Sequence, residues 1–120
     1  MPCSSSAVIN RDQDIKYLRR ASDIDMYHQK QLSLLRAAWN LLEDNGVLLY
    51  CTCSIFSEEN TKTIKQFLAL NKNATTLAIK NIVALKKWGV LKAEKGVQLI
   101  PGKGLNDGFF YTLLHKAQKP

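Results

Sequence analysis

The stretch Gly46-Val-Leu-Leu-Tyr-Cys-Thr-Cys-Ser-Ile-Phe-Ser-Glu-Glu-Asn60 decides the fold that we expect for this chain. Its short apolar run follows a turn signal and predicts a buried strand over residues 47–51, and the polar, acidic residues 57–60 predict the first turn of a helix. Cys53 then lies where a strand gives way to a helix. Ligands of open α/β sheets bind beyond the carboxyl ends of the strands, so a thiol at Cys53 is in reach of a substrate.

The two cysteines of this stretch invite different interpretations. A helix N-terminus nearby favours the thiolate of Cys53, which is the nucleophilic form. Free cysteine is nevertheless among the most buried residue types, and by position alone inert packing is the more frequent role, which suits Cys51 well. A redox pair is a weak alternative, because one residue separates Cys51 from Cys53 and redox dithiol motifs have two intervening residues.

Composition limits the class of protein and its partners. A chain of 120 residues has room for one modest domain, and its net charge of +7 points to a polyanion, with nucleic acid as the first candidate. Three cysteines, an odd number, fit a reducing, cytoplasmic setting.

No apolar run approaches membrane-spanning length and the N-terminus lacks a signal-peptide pattern, so we expect a cytoplasmic protein without a membrane partner. His28 and His115 have no metal-ligand spacing to a cysteine, and we predict no metal site.

Amphipathic periodicity predicts a helix on each side of the strand. Apolar residues at spacings of three and four predict the first over residues 25–43, with Asp23 or Asp25 as its N-cap. We expect Asn45-Gly46 to end it, with the glycine in the left-handed conformation. A second stripe predicts a helix over residues 58–70 with Ser57 as its cap and an acidic pair favourable to its dipole.

A buried strand between two such helices is typical of a doubly wound α/β sheet, in which residues 47–51 would be a central parallel strand. Residues 75–79 could add a further strand. Residues 97–100 predict a short strand, and residues 109–115 predict another after the turn signal Asn106-Asp107-Gly108. Together these two strands predict a terminal antiparallel hairpin.

Basic residues occur in two places where they could contact RNA. A helical turn within residues 12–20 carries three of them, although a charged face of this kind is more often simply solvated. Over residues 81–95 the signal is poor, and Trp88 among lysines could stack on RNA or serve as a partly buried surface anchor, the more frequent role. The candidate phosphate-binding residues of the first place are Lys16, Arg19 and Arg20.

Four motifs in order carry a resemblance to a known family: Pro2-Cys3-Ser4, Thr52-Cys53-Ser54, Glu58-Glu59-Asn60 and Asp107-Gly108-Phe109-Phe110. With these motifs at plausible spacings, the chain resembles the Nol/Nop/Sun (Fmu) family of RNA cytosine-C5 methyltransferases, in particular its bacterial branch acting on ribosomal RNA. The resemblance is weakest over residues 71–95. It implies a Rossmann-like class I methyltransferase fold, of which residues 1–120 would be the C-terminal half, with an antiparallel last strand inserted into the sheet.

The resemblance also implies roles for the cysteines. Cytosine C5 is a poor nucleophile until a thiolate adds at C6 and pushes electron density onto C5, an instance of covalent catalysis. Cys53 in Thr-Cys-Ser would be this nucleophile, and Cys3 in Pro-Cys-Ser would assist product release. Cys51 matches neither position and would belong to the core. The family surface at Lys16, Arg19 and Arg20 would hold RNA phosphates.

The chain departs from the family pattern in ways that bear on activity. The family has an aspartate two residues before the proline of Pro-Cys-Ser and a glycine where Ala7 stands. Its methyl donor is S-adenosylmethionine, which a doubly wound methyltransferase holds with a glycine-rich loop and an acidic residue at the ends of its first two strands. We find neither feature, so we expect no donor binding by this chain alone and no activity without an N-terminal half. We also expect self-association, or pairing with that half, through an exposed sheet edge, unless the serine-rich N-terminal segment folds over that edge. The alternative function is a small basic RNA-binding module without catalysis.

Overall fold

A computed structural model of the chain describes residues 1–4, 21–79, 90–93, 95–99 and 108–118. Within these ranges there are two helices, of which α1 spans Ala21–Leu41 and α2 spans Thr61–Leu70. The strands β1 to β5 span, in order, Val47–Thr52, Ala74–Leu77, Val90–Ala93, Gly96–Leu99 and Phe109–Lys116. Several residues with predicted roles lie outside the described ranges, and those roles stay predictions: Ala7, Lys16, Arg19, Arg20 and Trp88.

Strand β5 organises the sheet. Along one edge it pairs antiparallel with β1, from Val47 opposite His115 to Thr52 opposite Phe110. Its other edge is shared, since β2 pairs with residues 113–116 and β4 with residues 109–111, and β3 pairs in turn with β4. A helix precedes β1 and another follows it, as predicted, and β4 with β5 forms the expected terminal antiparallel hairpin. The predicted α/β class is confirmed.

The prediction of a central parallel strand over residues 47–51 is wrong for the described part of the sheet. There β1 lies at the edge, and the strand hydrogen-bonded to it, β5, runs antiparallel. The physical reason is the placement of β5, the last strand. It lies between β1 on one side and both β2 and β4 on the other. Periodicity of apolar residues shows that a strand is buried, but not which strand lies beside it.

Both helices cover one face of the sheet, and the core lies between the helices and that face. Tyr50, Phe110 and Leu114 alternate along β1 and β5 and join the core on this face, as strand periodicity requires. The two helices meet through Trp39 and Phe67, whose rings pack edge to face with centroids 5.1 Å apart. The predicted apolar stripes are confirmed by burial of Leu32, Leu35, Trp39, Ile64 and Phe67, with Leu42 and Leu68 packed against them.

The helix starts differ from the predicted ones. Asp23 lies in the first turn of α1, so neither it nor Asp25 precedes the helix as a cap. Helix α2 begins at Thr61, because the residues before it form a turn in which Asn60 N donates to Ser57 O. The N-cap of α2 is therefore Asn60 instead of Ser57, and its side chain makes no capping hydrogen bond. That side chain is used in the loop after β1. Neither described helix has the length and apolar composition needed to cross a membrane.

The last strand fixes the end of α1. Asn45, rather than the glycine after it, takes the left-handed conformation, with φ of 66°. Its N–H donates to Lys116 O at 2.7 Å. The Nζ of Lys116 donates to the carbonyl oxygens of Trp39 and Leu42 at 2.9 and 2.7 Å. A cation at this place adds hydrogen bonds to carbonyl groups at the end of the helix and complements its dipole.

Candidate active site

The two cysteines to which the resemblance assigned catalytic roles meet in space. Cys53 lies in the loop directly after β1, and Cys3 lies in the N-terminal segment, with their Sγ atoms 3.0 Å apart. The distance is that of a contact between two thiols and not of a disulfide bond, which is about 2.05 Å long. Cys3 is buried and Cys53 is half-buried, so Cys53 is the more accessible residue of the pair.

Cys51 differs from this pair in place and environment. It lies on β1 itself, opposite Tyr111 of β5. Burial raises the pKa of the Cys51 thiol, which disfavours the thiolate at neutral pH. Cys51 is nevertheless half-buried and is not among the residues of the core, so the prediction that it belongs to the core is wrong. The reason is strand alternation, which places Cys51 on the face of the sheet opposite to that of Tyr50.

The carboxylate of Glu59 joins the two cysteine segments. It is fully buried, and it accepts hydrogen bonds from the N–H of Ser4 at 2.6 Å and from the Ser4 hydroxyl at 2.7 Å. It also accepts one from the hydroxyl of Ser54. Ser4 follows Cys3 and Ser54 follows Cys53. One carboxylate is therefore hydrogen-bonded to the residue next to each thiol.

Gln31 of α1 supports the same arrangement. Its side chain is fully buried, and Nε2 donates to the carbonyl oxygen of Pro2 at 2.8 Å and to Glu59 at 3.3 Å. Its amide oxygen accepts from the Thr63 hydroxyl at 3.4 Å. Buried polar groups cost free energy unless they are paired, so these bonds stabilise polar side chains inside a largely apolar interface.

Side-chain hydrogen bonds hold the loop after β1. The Thr52 hydroxyl donates to Asn60 Oδ1, and Asn60 Nδ2 donates to the carbonyl oxygen of Ser54 at 2.8 Å. Gln98 Nε2 of β4 donates to the same carbonyl at 3.2 Å. Cys53 therefore lies between two residues, Thr52 and Ser54, that are buried and hydrogen-bonded. Such a network fixes the backbone on both sides of the thiol.

His28 of α1 connects the two helices. Its Nδ1 lies 2.8 Å from the carbonyl oxygen of Glu58 and 2.8 Å from the Thr63 hydroxyl, and its Nε2 lies 2.8 Å from Gln66. Within the described ranges, no group of three or more His, Cys, Asp or Glu side chains is placed to hold a metal ion.

Sequence reasoning missed Glu59 and Gln31 as parts of this site. We interpreted Glu58 and Glu59 together as an acidic pair at a helix start, but the structure separates them. The side chain of Glu58 is about half exposed and pairs with Lys62 at 3.3 Å, whereas Glu59 is buried. For Gln31, the available signal was a polar residue within the apolar stripe of α1.

The comparison with known proteins covers nearly the whole chain. Residues 1–115 match the model of the family described as 16S rRNA methyltransferase RsmB/F. A Coxiella burnetii protein named "Probable ribosomal RNA small subunit methyltransferase B" is 45% identical over 115 residues, and the ribosomal RNA small subunit methyltransferase B of Pasteurella multocida is 40% identical over 116. The alignments cover 96% and 97% of this chain but 25% and 24% of the relatives. The chain therefore spans about a quarter of the length of the curated relatives it matches.

The fold has a similar counterpart among solved structures. The crystal structure of PH0851 superposes with a TM-score of 0.84 at 34% identity, over 96% of this chain and 25% of that chain. The resemblance that rested on four short motifs is thus confirmed over nearly the full sequence, together with the methyltransferase fold that it implied. The chain belongs to the RsmB/F family of 16S rRNA methyltransferases.

Proposed function

We propose that this chain is the cysteine-bearing part of a cytoplasmic enzyme that methylates cytosine C5 in ribosomal RNA, with Cys53 as the nucleophile and Cys3 as the group that assists release. The contact of 3.0 Å between the two Sγ atoms carries the proposal. The names of the relatives, ribosomal RNA small subunit methyltransferases, support ribosomal RNA as the substrate. A net charge of +7 suits a polyanionic partner of this kind.

Cys53 is half-buried and lies beyond the end of β1, where a base can approach it. Its thiolate adds to cytosine C6, forms the S–C6 bond and moves the electron pair of the C5–C6 double bond onto C5. Once C5 carries the methyl group, loss of its proton to a base restores the double bond as the S–C6 bond breaks. The electron pair of that bond returns to the sulfur of Cys53.

Cys3 is placed to act when the S–C6 bond breaks. Its thiol lies 3.0 Å from the Cys53 sulfur and can donate a hydrogen bond to the departing thiolate. A hydrogen bond to a charged acceptor is stronger than one between neutral groups, so it stabilises the thiolate more than the thioether that precedes it. Cys3 thereby favours release over persistence of the adduct.

S-adenosylmethionine would supply the methyl group in the complete enzyme, as the family implies. The described residues do not fit this donor. The loop after β1 is filled by side chains that hydrogen-bond one another, among them Ser54, Glu59 and Asn60, and the described part contains no glycine-rich loop between a strand and a helix. The donor site is expected outside these residues.

The test uses a complete enzyme carrying this segment, incubated with ribosomal RNA and S-adenosylmethionine. Cys53→Ala should abolish methyl transfer and the covalent protein–RNA complex on a denaturing gel, because no adduct can form. Cys3→Ala should let the complex form and persist, and Cys51→Ala, the matched control, should leave both measurements unchanged. Loss of activity in Cys51→Ala with retention in Cys53→Ala would show that the roles are wrongly assigned.

A second candidate function is a basic RNA-binding module without catalysis, which the poor fit to the donor favours. Two titrations of the isolated chain distinguish the candidates. Calorimetry with S-adenosylmethionine should show no saturable binding, and micromolar affinity would contradict our expectation. Tight RNA binding by the chain, with no adduct in the complete enzyme, would favour the module.

A further inference from the structure

We propose that Glu59 is a positioning residue that sets the distance between Cys3 and Cys53, and that its loss impairs release of the product more than attack on the substrate. The catalytic consequence rests on the function proposed above. The geometric part, the distance between the thiols, can be tested without RNA.

The first observation is how fully Glu59 is bonded. Oε1 accepts from the Ser4 N–H at 2.6 Å and from Gln31 at 3.3 Å, and Oε2 accepts from the hydroxyls of Ser4, at 2.7 Å, and Ser54. A carboxylate has about four acceptor positions, and these four donors use them. In a buried setting such hydrogen bonds are strong. The carboxylate therefore links the backbone N–H of Ser4, next to Cys3, to the side chain of Ser54, next to Cys53.

The second observation is that the two cysteine segments are supported differently. The Cys53 segment continues β1 and is also bonded through Asn60 and Gln98. The Cys3 segment, residues 1–4, has no regular secondary structure. Glu59 and Gln31 bond the residues on both sides of Cys3, since Gln31 donates to Pro2 O at 2.8 Å. We therefore expect that weaker hydrogen bonds to the Glu59 side chain displace Cys3 more than Cys53.

The chain supplies a matched control in Glu58. It is adjacent in sequence and has the same charge, but its side chain is 46% exposed and pairs with Lys62 at the surface. Glu58→Gln changes the net charge by the same amount as Glu59→Gln without touching the bonds to Ser4 and Ser54. Any difference between the two variants therefore reports the buried contacts of Glu59.

The geometric test measures how fast the two thiols form a disulfide in the isolated chain. A Cys51→Ala background leaves Cys3 and Cys53 as the reacting pair, and diamide takes the two protons and two electrons that the thiols release. Mass spectrometry follows the product, and circular dichroism confirms that each variant is folded. We expect Glu59→Gln to slow the reaction about tenfold, equivalent to about 1.4 kcal/mol, and Glu58→Gln to leave it unchanged.

A second variant keeps this test decisive if Glu59→Gln does not fold. Ser4→Ala removes one hydroxyl donor and leaves the carboxylate and the Ser4 N–H in place. We expect a smaller slowing in the same direction. Oxidation at the wild-type rate in a folded Glu59→Gln chain, or in Ser4→Ala where the former does not fold, would overturn the proposal.

The catalytic test uses the complete enzyme and the covalent complex with RNA. Glu59→Gln should retain adduct formation and slow its breakdown about tenfold, as a weaker form of Cys3→Ala. In a Cys3→Ala background the added Glu59→Gln should change nothing, because its effect passes through Cys3. Equal losses of formation and breakdown, or a further effect in that background, would indicate a merely structural role and overturn the proposal. If the wild-type enzyme forms no adduct, the proposed function fails, and the oxidation rates still decide whether Glu59 positions Cys3.

Discussion

Asn60, the N-cap of α2, is hydrogen-bonded to Gln98 of β4, with Asn60 Nδ2 donating to Gln98 Oε1 at 2.9 Å. Both amides also donate to the carbonyl oxygen of Ser54. The loop that carries Cys53 is thereby tied to β4 of the terminal hairpin. The hairpin thus supports the loop that presents Cys53, in addition to completing the sheet.

Removing the Asn60 side chain should destabilise the chain. Asn60→Ala leaves the Thr52 hydroxyl and the Ser54 carbonyl with fewer partners in a buried place, which costs about 2–3 kcal/mol of unfolding free energy. Urea denaturation measures it. The matched control, Asn40→Ala on the exposed side of α1, should change the free energy by less than about 0.5 kcal/mol. Equal effects of the two substitutions would contradict the structural role of Asn60.

Tyr50 should make stability depend on alkaline pH. Its hydroxyl donates to the carbonyl oxygen of Glu59 at 2.6 Å, and burial raises the pKa of Tyr50 far above its ordinary value. An unfolded tyrosine ionises near pH ~10, so this stabilisation is complete below that pH and is lost as the pH rises further.

The matched variant is Tyr50→Phe, which leaves the Glu59 carbonyl without this donor and should cost about 1–2 kcal/mol at pH 7. Its unfolding free energy should also fall less steeply than that of the wild type above pH ~10. Part of the fall should remain, because burial also raises the pKa of Tyr111. Urea denaturation at neutral and alkaline pH provides both comparisons. Identical alkaline slopes for the two proteins would count against the role of Tyr50.

The predicted self-association concerns the outer edge of β1. In the described part of the sheet β1 pairs with β5 alone, and Val47 and Leu49 on it are 49% and 56% exposed. An open apolar strand edge pairs readily with another strand. Light scattering should therefore show a dimer or larger assembly, more so at high salt, which screens the repulsion between chains of net charge +7.

A lysine on this edge should disrupt the assembly. Leu49→Lys should give a monomer, whereas Leu34→Lys, at a 45% exposed position of α1, should not. Charged side chains are a common means by which proteins protect strand edges from pairing. A compact wild-type monomer at both low and high salt would contradict this prediction.

Local patterns predicted much of the fold. The stripes through Trp39 and Phe67 and the apolar run before Cys53 depend on residues close in sequence, so periodicity revealed them. The partner of β1 could not be obtained in this way, because β5 reaches it from the other end of the chain. The cap of α2 was placed too early, because the residues from Ser57 onwards form a turn and the helix begins only at Thr61.

The candidate site was predictable only in part. The resemblance identified Cys3 and Cys53, and the structure brings them into contact. Nothing in the local sequence distinguishes Glu59 from Glu58, because neighbouring residues at a helix start differ in burial only once the rest of the chain is packed around them. Gln31 likewise gains its role from Pro2, a residue far away in sequence.

The most direct measurement is which sulfur atom bonds to cytosine. The complete enzyme is incubated with the methyl donor and RNA that contains 5-fluorocytidine. Fluorine replaces the C5 proton whose loss would break the S–C6 bond, so the adduct persists. Digestion and tandem mass spectrometry then locate the attached nucleotide. We predict attachment to Cys53 alone, and no adduct in Cys53→Ala. Attachment to Cys51 or to Cys3 would contradict the proposed mechanism.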